Sequence, residues 1–438
     1  MSVPSTANRG AVAVSALLLA GMFLDYSGGI GVKYLVIMLA FGWVILHRRS
    51  IRILLMRWDD MIVFLGVPLF LALLHLGLWI IYPSSENSIS TYLVRFYNTV
   101  SSSLLILLLP LFVRAGSQAV LRQMSIGFRG IGITLLILFT LHVMGIISVT
   151  DYTDLIEKYQ IGMFGEDSRI KDVDLAQRGL LQPRIAFAMP LIFGYELAKS
   201  VIGPIILFLS LLVVGSRGLI VGAVVLVLLW IVVPQMRGGR KRSLRTGVFV
   251  ALLILLVGMS GSVRFRVTGV FLERSANVIR GDDYTTMARI GHLIGYGDMV
   301  QAAPMKRLFG DGPTGHIDNP IYGVVFGESR VTGTEMPLLN LAIYYGLPYS
   351  LLYCFWLYRM AWRLYRLRQK PSFHKYDYAL VLGAMVFWIT GNTNPQMTAP
   401  FAIFAYMLLW VRIFELERRP VGGIVDGSRA PGAVAVSG

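Results

Sequence analysis

Apolar runs of membrane-spanning length alternate with short polar segments along most of the chain. Clear examples are 203–214, 219–233 and 248–259, which contain no charged residue. A bilayer core about 30 Å thick is crossed by a helix of roughly 20 mostly apolar residues. Counting the runs against that requirement predicts an all-α integral membrane protein with about twelve transmembrane helices. The expected spans are 10–26, 31–46, 60–81, 91–113, 130–149, 184–198, 201–214, 218–235, 247–260, 336–358, 377–391 and 400–416.

The first apolar run admits two interpretations, a membrane span or a cleaved signal peptide. Arg9 precedes the apolar stretch 11–24, which is the charge order of both. No convincing cleavage site follows, and the run continues to Asp25 and Tyr26. We therefore interpret it as the first span.

Basic residues between the runs predict which side of the membrane each loop occupies. Clusters of arginine and lysine at 47–57, 114–129, 237–245 and 359–375 follow the second, fourth, eighth and tenth expected spans. Positively charged loops stay in the cytoplasm, so all four clusters and both termini are expected there. The sixth and seventh spans are short and joined only by Lys199-Ser200, and one broken or re-entrant element is the alternative.

Two long loops then fall on the opposite, periplasmic side, at about 150–183 and 261–335. Loops of such length without structure are uncommon unless they are functional or disordered. The larger one lies between spans nine and ten, and we expect it to be partly helical. Its stretch 275–303 offers an apolar helix face of four side chains, Met287, Ile290, Leu293 and Ile294. One transmembrane domain, 1–416, would include both loops, and 417–438 would be a flexible cytoplasmic tail.

Composition supports the membrane assignment and excludes other classes. The 438 residues are 55% hydrophobic and 15% charged, too apolar for a soluble chain of this length. The net charge of +16 does not indicate nucleic-acid binding, because the basic residues sit in short loops between apolar runs. Cys354 is the only cysteine, so no intrachain disulfide can form. No histidine, cysteine or carboxylate spacing predicts a metal, and no cofactor signature is present.

Three arginines are expected near the periplasmic side, against the general charge bias. Arg217 falls in a Gly-Ser-Arg-Gly turn between spans seven and eight, and suits either a phosphate or a snorkelling position at a helix end. Arg95 lies a turn inside span four, where it either faces a cavity or pairs with a carboxylate such as Asp25. Arg289 lies in the large loop, and a solvated charge on a loop helix is the simpler interpretation.

The same loop holds the candidate bases. Glu335 precedes Met336-Pro337 at the mouth of span ten, and is either a general base or part of the helix cap. His292 and His316 are rival bases, and an ordinary loop histidine is the simpler interpretation of each. Asp311 lies in the glycine-rich stretch 309–315, which lacks the lysine and hydroxyl of a Walker phosphate loop and is most simply a turn.

In this order and on this side of the membrane, these features resemble the bacterial O-antigen ligase and polysaccharide polymerase superfamily, which includes the Wzy-type polymerases. The resemblance covers about 190–360. The residues that carry it are Ser216-Arg217-Gly218 opening a span, Arg289, Pro304 with 310–312, and Glu335 followed by 338–339 and 345–347.

The resemblance implies a metal-independent glycosyltransferase of the inner membrane, acting on oligosaccharide carried by undecaprenyl pyrophosphate. Arg217 and Arg289 would hold the pyrophosphate leaving group, and Glu335 would deprotonate the acceptor hydroxyl. Arg95, His292, His316 and Asp311 would contribute to substrate binding. A chain-length regulator would be a possible partner.

Ligases of this superfamily usually carry a histidine where this chain has Glu335. That departure weakens the ligase interpretation, leaves the identity of the base open and is compatible with a polymerase. A ligase that transfers finished glycan to another acceptor is the first alternative. A flippase or transporter of the same lipid-linked glycan is the second, although a transporter should place more charges within its spans.

Overall fold

The computed structural model describes an all-α chain with a single two-residue β pair in the described residues. These are 9–24, 31–47, 53, 57–81, 90, 92–93, 104–146, 184–200, 202–214, 217–232, 284–321, 329–331, 334, 336–391 and 400–418. The main elements are α1 (Arg9–Leu24), α2 (Val32–Leu46), α3 (Trp58–Ile81), α4 (Leu105–Ala115), α5 (Ser117–Val143), α6 (Met189–Lys199), α7 (Ile202–Val214), α8 (Arg217–Val232), α9 (Tyr284–Ala302), α10 (Met305–Phe309), β1 (Ile317–Asp318), β2 (Arg330–Val331), α11 (Pro337–Tyr345), α12 (Leu347–Arg366), α13 (Lys375–Gly391) and α14 (Pro400–Arg418).

Within the described residues, two helices have the length and composition of membrane spans, α3 and the Ser117–Leu141 part of α5. Only 28% and 33% of their most apolar windows are buried inside the protein. Their remaining apolar surface faces outward, as on Phe70 and Ile137, which are 65% and 53% exposed. An outward apolar surface of this extent suits lipid better than water. Five further apolar helices are shorter: α1, α2, α4, α7 and the Gly218–Val232 part of α8.

Most expected spans coincide with helices. The first three and the sixth, seventh, eighth, eleventh and twelfth correspond to α1, α2, α3, α6, α7, α8, α13 and α14. The ninth, 247–260, lies outside the described residues, and of the fourth only Tyr92, Leu93 and 104–113 are described. Ser200 adopts an extended conformation between α6 and α7, so the helix is interrupted and two separate helices result.

The expected fifth span, 130–149, was placed too late in the chain. Helix α5 begins at Ser117, directly after Gly116, whose φ of 86° ends α4. Arg122 and Arg129 therefore lie within a helix and not in a loop. Arg129 is accommodated because it pairs with the buried carboxylate of Glu196.

The expected tenth span, 336–358, was predicted as one continuous helix, and this prediction was wrong. It is divided at Gly346, whose φ of 87° is unavailable to most residues, into α11 and α12. The two helices fold against each other, since the Ser350 hydroxyl donates to the Leu338 carbonyl at 2.7 Å. Helix α12 instead continues to Arg366, so Arg359, Arg363 and Arg366 are helical.

Buried and half-buried carboxylates gather at one end of the helix bundle. Asp377 accepts from Arg412 at 2.6 Å, and Glu415 accepts from the Ser117 hydroxyl at 2.6 Å. Asp60 accepts from Arg57, Trp356 and Tyr406 at 2.5, 2.9 and 2.6 Å. The Tyr195 and Tyr376 rings lie 5.6 Å apart, so Glu196, which is next to Tyr195, lies at the same end of the bundle. We call this region the carboxylate end.

Residues 284–321 lie at the other end of α3, and we call them the α9 segment. His75 forms a hydrogen bond of 2.9 Å with the Phe309 carbonyl. His75 follows Asp60 by fifteen positions on α3, which corresponds to about 22 Å along the helix. The carboxylate end and the α9 segment are therefore separated by most of the length of the bundle.

Candidate functional site

Helix α9 is fixed in the α9 segment by the short chain that follows it. The side-chain amide of Asn319, which is fully buried, donates to the Ala288 carbonyl at 2.9 Å. Its oxygen accepts from the backbone of Ile321 at 3.0 Å, so Asn319 ties the helix to the turn after β1. Sequence reasoning missed Asn319, although Asn-Pro at 319–320 is a recognisable turn signal.

One face of α9 carries polar groups of chemical interest. His292 and Tyr296 follow Arg289 by three and seven residues, so all three share that face. His292 is 1% exposed, while Arg289 and Tyr296 are half-buried. Tyr296 packs against the small cluster of Ile317, Leu339 and Ile343, which places this face towards α11.

The Tyr296 hydroxyl is buried and has no hydrogen-bond partner among the described residues. Burial raises the pKa of Tyr296, and the nearby Arg307 opposes that rise. The hydroxyl therefore keeps its proton at neutral pH and remains a donor.

The opposite face of α9 is the apolar face expected from the sequence, but it is exposed. Met287, Ile290, Leu293 and Ile294 are 39–52% exposed. The expected helix is thus present, while its apolar side chains do not pack on the protein. The buried face consists of small and polar residues, because its close neighbours are the Asp318 backbone and the Asn319 side chain.

The glycine-rich stretch after α10 packs against the end of α11. The backbone amides of Asp311 and Gly312 donate to the carbonyls of Ile343 and Tyr344 at 2.6 and 3.1 Å. The Asp311 carboxylate pairs with Lys306 at 2.9 Å. This stretch therefore holds the α9 segment on α11, and Asp311 has a structural partner in addition to any role with substrate.

His316 and Arg330 form the second polar contact of the site. The guanidinium lies 2.5 Å from Nε2 of His316, across the β1–β2 pair. Burial lowers the pKa of His316, and Arg330 lowers it further. The imidazole is therefore neutral at pH 7 and accepts a hydrogen bond from Arg330. No sequence signal linked the two residues, since fourteen positions separate them.

Thr334 fixes the chain immediately before α11. Its backbone amide donates to the Asn340 side chain at 2.7 Å, and the Asn340 amide donates back to the Thr334 carbonyl at 2.9 Å. The Thr334 hydroxyl also accepts from the Met336 amide at 3.1 Å. These hydrogen bonds hold the chain in place directly before α11, whose N-cap residue is Met336.

The structure brings four of the seven expected site residues into one segment: Arg289, His292, Asp311 and His316. Arg95 and Glu335 lie outside the described residues. Arg217 is the first residue of α8, and only its backbone position is described. Over the described ranges, no group of three or more His, Cys, Asp or Glu side chains is placed to hold a metal ion.

Neither the protein-family models nor the curated proteins include a match to this chain.

Proposed function

We propose that the protein is a polysaccharide polymerase that joins oligosaccharide repeats carried on undecaprenyl pyrophosphate. The observation that carries the proposal is the composition of the α9 segment. It places an arginine, two histidines and a buried tyrosine hydroxyl at one end of an apolar helix bundle. A lipid-linked, charged sugar donor has the matching chemistry, with an apolar tail, an anionic linker and a polar glycan.

The proposal includes a multi-pass position in the bacterial inner membrane, with about twelve spans and both termini in the cytoplasm. Its support is the outward apolar surface of α3 and α5 and the grouping of helix ends. Arg57, Arg114 and Arg363 all lie near the ends of helices that meet at the carboxylate end. On the positive-inside rule this end would face the cytoplasm and the α9 segment the periplasm.

In the proposed reaction, an acceptor sugar hydroxyl attacks the anomeric carbon of the lipid-linked donor. The bond between that carbon and the pyrophosphate oxygen breaks, and its electron pair leaves with the pyrophosphate. Arg217 and Arg289 stabilise the charge that develops on the leaving group, since guanidinium groups bind phosphate in a bidentate manner. Glu335 takes the proton of the attacking hydroxyl.

His316 is the alternative base. Its neutral imidazole would take the proton at Nε2, in exchange for the hydrogen bond that it accepts from Arg330. Glu335 remains the first choice because it follows Thr334, whose hydrogen bonds to Asn340 fix the chain beside the polar face of α9. A glutamine at position 335 would keep the shape and remove the basicity.

The first experiment is mass spectrometry of undecaprenyl-linked glycans from a strain lacking the protein, with an assay for the membrane face that they occupy. Single repeats accumulating on the periplasmic face would support a polymerase. Long lipid-linked polymer there would instead indicate a ligase. Single repeats trapped on the cytoplasmic face would indicate a flippase, and an unchanged lipid-linked pool would refute the proposal.

Site variants test the mechanism in the complemented strain. Arg289→Ala should abolish polymer, and Arg289→Lys should restore little, because lysine lacks the planar fork. Arg307→Ala is the matched control, since Arg307 is an exposed arginine of the same segment. Full activity in Arg289→Ala would remove the leaving-group role. Full activity in Glu335→Gln, with loss in His316→Ala, would move the base to His316.

A further inference from the structure

A groove opens on the side of the bundle between α8, α12 and α13. Its volume is about 710 Å³, within the range of about 300–1,000 Å³ that ligand pockets occupy. The walls are apolar and aromatic side chains with one arginine at the edge. The lining includes Val232, Tyr358, Trp362, Leu382, Met385 and Arg368.

The groove lies towards the carboxylate end. Val232 is the last residue of α8, the α12 residues belong to its last three turns, and the α13 residues begin at Tyr378 in its first turn. Trp362 is 55% exposed and stacks on Tyr365 with ring centroids 5.6 Å apart. Exposed tryptophan and tyrosine near helix ends are typical of the membrane interface.

One arginine, Arg368, lines the groove, and a second, Arg366, lies over the ring of Trp362 in its wall. The Arg368 guanidinium lies 4.4 Å from the centre of the Tyr365 ring, and that of Arg366 lies 5.5 Å from the Trp362 ring. Both side chains are exposed, and neither forms an ion pair with a described residue. Arg363, one turn earlier, differs because Glu417 neutralises it at 3.0 Å.

We propose that this groove binds one anionic phospholipid, with an acyl chain along the apolar wall and the headgroup phosphate between Arg366 and Arg368. An acyl chain fits the apolar, aromatic lining of this space. Neither guanidinium has a carboxylate partner among the described residues, and basic pockets between membrane helices bind anionic headgroups. The inference rests on the membrane position proposed above, but not on the glycan chemistry of the α9 segment.

Native mass spectrometry of the full-length protein in detergent tests the proposal. The added lipids are phosphatidylglycerol and phosphatidylethanolamine with identical acyl chains, so that only the headgroup charge differs. We expect preferential retention of phosphatidylglycerol. The double variant Arg366→Gln/Arg368→Gln should weaken that retention about 25-fold, from about fivefold for each arginine near an anionic headgroup.

The matched control is Arg122→Gln/Lys199→Gln. It removes the same two positive charges from exposed positions at the carboxylate end, away from the groove. Retention in the control should equal that of the unmodified protein. Equal losses in the two double variants would overturn the proposal, since they would show a general charge effect.

A second variant tests the apolar wall without changing charge. Leu382→Trp places a larger side chain in the groove at a half-buried position. It should lower retention of both lipids at least tenfold, while α-helical circular dichroism stays unchanged. Undiminished retention of phosphatidylglycerol in this variant would contradict an acyl chain in the groove. None of these outcomes depends on whether the protein polymerises glycan.

Discussion

The two ends of the helix bundle are held together by different kinds of contact. The carboxylate end depends on side chains, because the buried carboxylates of Asp60, Glu196 and Asp377 all have cationic partners. At the α9 end the contacts between segments are mainly backbone hydrogen bonds and close approaches at glycine, such as those of Gly310 and Gly346. The difference shows that buried ion pairs hold one end together, while backbone contacts hold the other beside partly exposed pairs such as Lys306–Asp311.

The difference follows from what each contact requires. A buried charge must be paired, and removing one partner costs several kcal/mol. An end made of ion pairs therefore cannot release its charges to a substrate. The α9 segment is anchored on α11 by backbone amides and carbonyls, and the Asn319 side chain fixes α9 within it.

The largest effect is expected at the carboxylate end. Asp377→Ala should destabilise the protein by about 3–5 kcal/mol, because it leaves the guanidinium of the 5%-exposed Arg412 without its main partner. The midpoint of unfolding in a sodium dodecyl sulfate titration measures the loss. Asp377→Ala/Arg412→Met should recover most of it. A double variant as unstable as the single one would show that the orphaned charge is not the cause.

Glu417→Ala is the control for that measurement. Glu417 also pairs with an arginine, Arg363, but both side chains are about 40% exposed. Exposed pairs contribute about 0–1 kcal/mol, so the midpoint should hardly move.

An intermediate effect is expected from Gly310→Ala at the α9 end. A Cβ there would collide with the Tyr344 carbonyl, and the φ of 75° disfavours alanine. We expect a loss of about 2–4 kcal/mol, from the left-handed conformation together with overpacking. The same titration measures it. Gly297→Ala is the matched control, since a Cβ at Gly297 meets nothing within 4 Å and α9 should gain up to about 1 kcal/mol. Similar changes in both variants would rule out the close approach as the cause.

The smallest effect is expected from Arg330→Gln. Burial is the larger cause of the lowered pKa of His316, so removing Arg330 should raise that pKa only part of the way towards 6.5. Nuclear magnetic resonance of protein labelled at the histidine Cε1 position follows the titration. An Arg307→Gln control should leave the pKa of His316 unchanged, and an unchanged pKa in Arg330→Gln would contradict the contact.

The sign of the stability change follows from the direction of the pKa shift. Folded His316 binds its proton less readily than unfolded histidine, so stability falls as pH drops from 6.5 through the lowered pKa. Arg330→Gln brings the pKa of folded His316 closer to 6.5, so the stability lost on acidification should become smaller.

The helices could be predicted wherever apolar content alone determines them. Helices α1, α2, α3, α7 and α14 lie within a few residues of their expected positions, because each is a continuous apolar run. The start of α5 could not be found in this way. Its charged residues are tolerated through Glu196, which lies 67 positions beyond Arg129. The break at Gly346 likewise depends on a distant group, the Leu308 carbonyl.

The sequence predicted several residues of the site, but not which residues contact one another. Sequence order placed Arg289, His292, Asp311 and His316 in one loop, and the helical spacing predicted α9. The partners were not predictable, since His316–Arg330 and Asn319–Ala288 connect positions 14 and 31 residues apart. The exposed apolar face of α9 was also unexpected. A periodic pattern identifies a face but not what covers it.

The burial of α14 has a consequence for how the protein is made. Every residue from 401 to 413 is buried, and the helix bonds to α3 through Tyr406, to α13 through Arg412 and to α5 through Glu415. The ribosome synthesises this helix after all of those partners. Asp377 must therefore wait in the nascent chain for its partner Arg412, which α14 supplies, whereas Asp60 already has Arg57 beside it. A chain that stops before residue 400 would leave Asp377 without that partner, and the unpaired carboxylate would mark the protein as unfinished for cellular quality control.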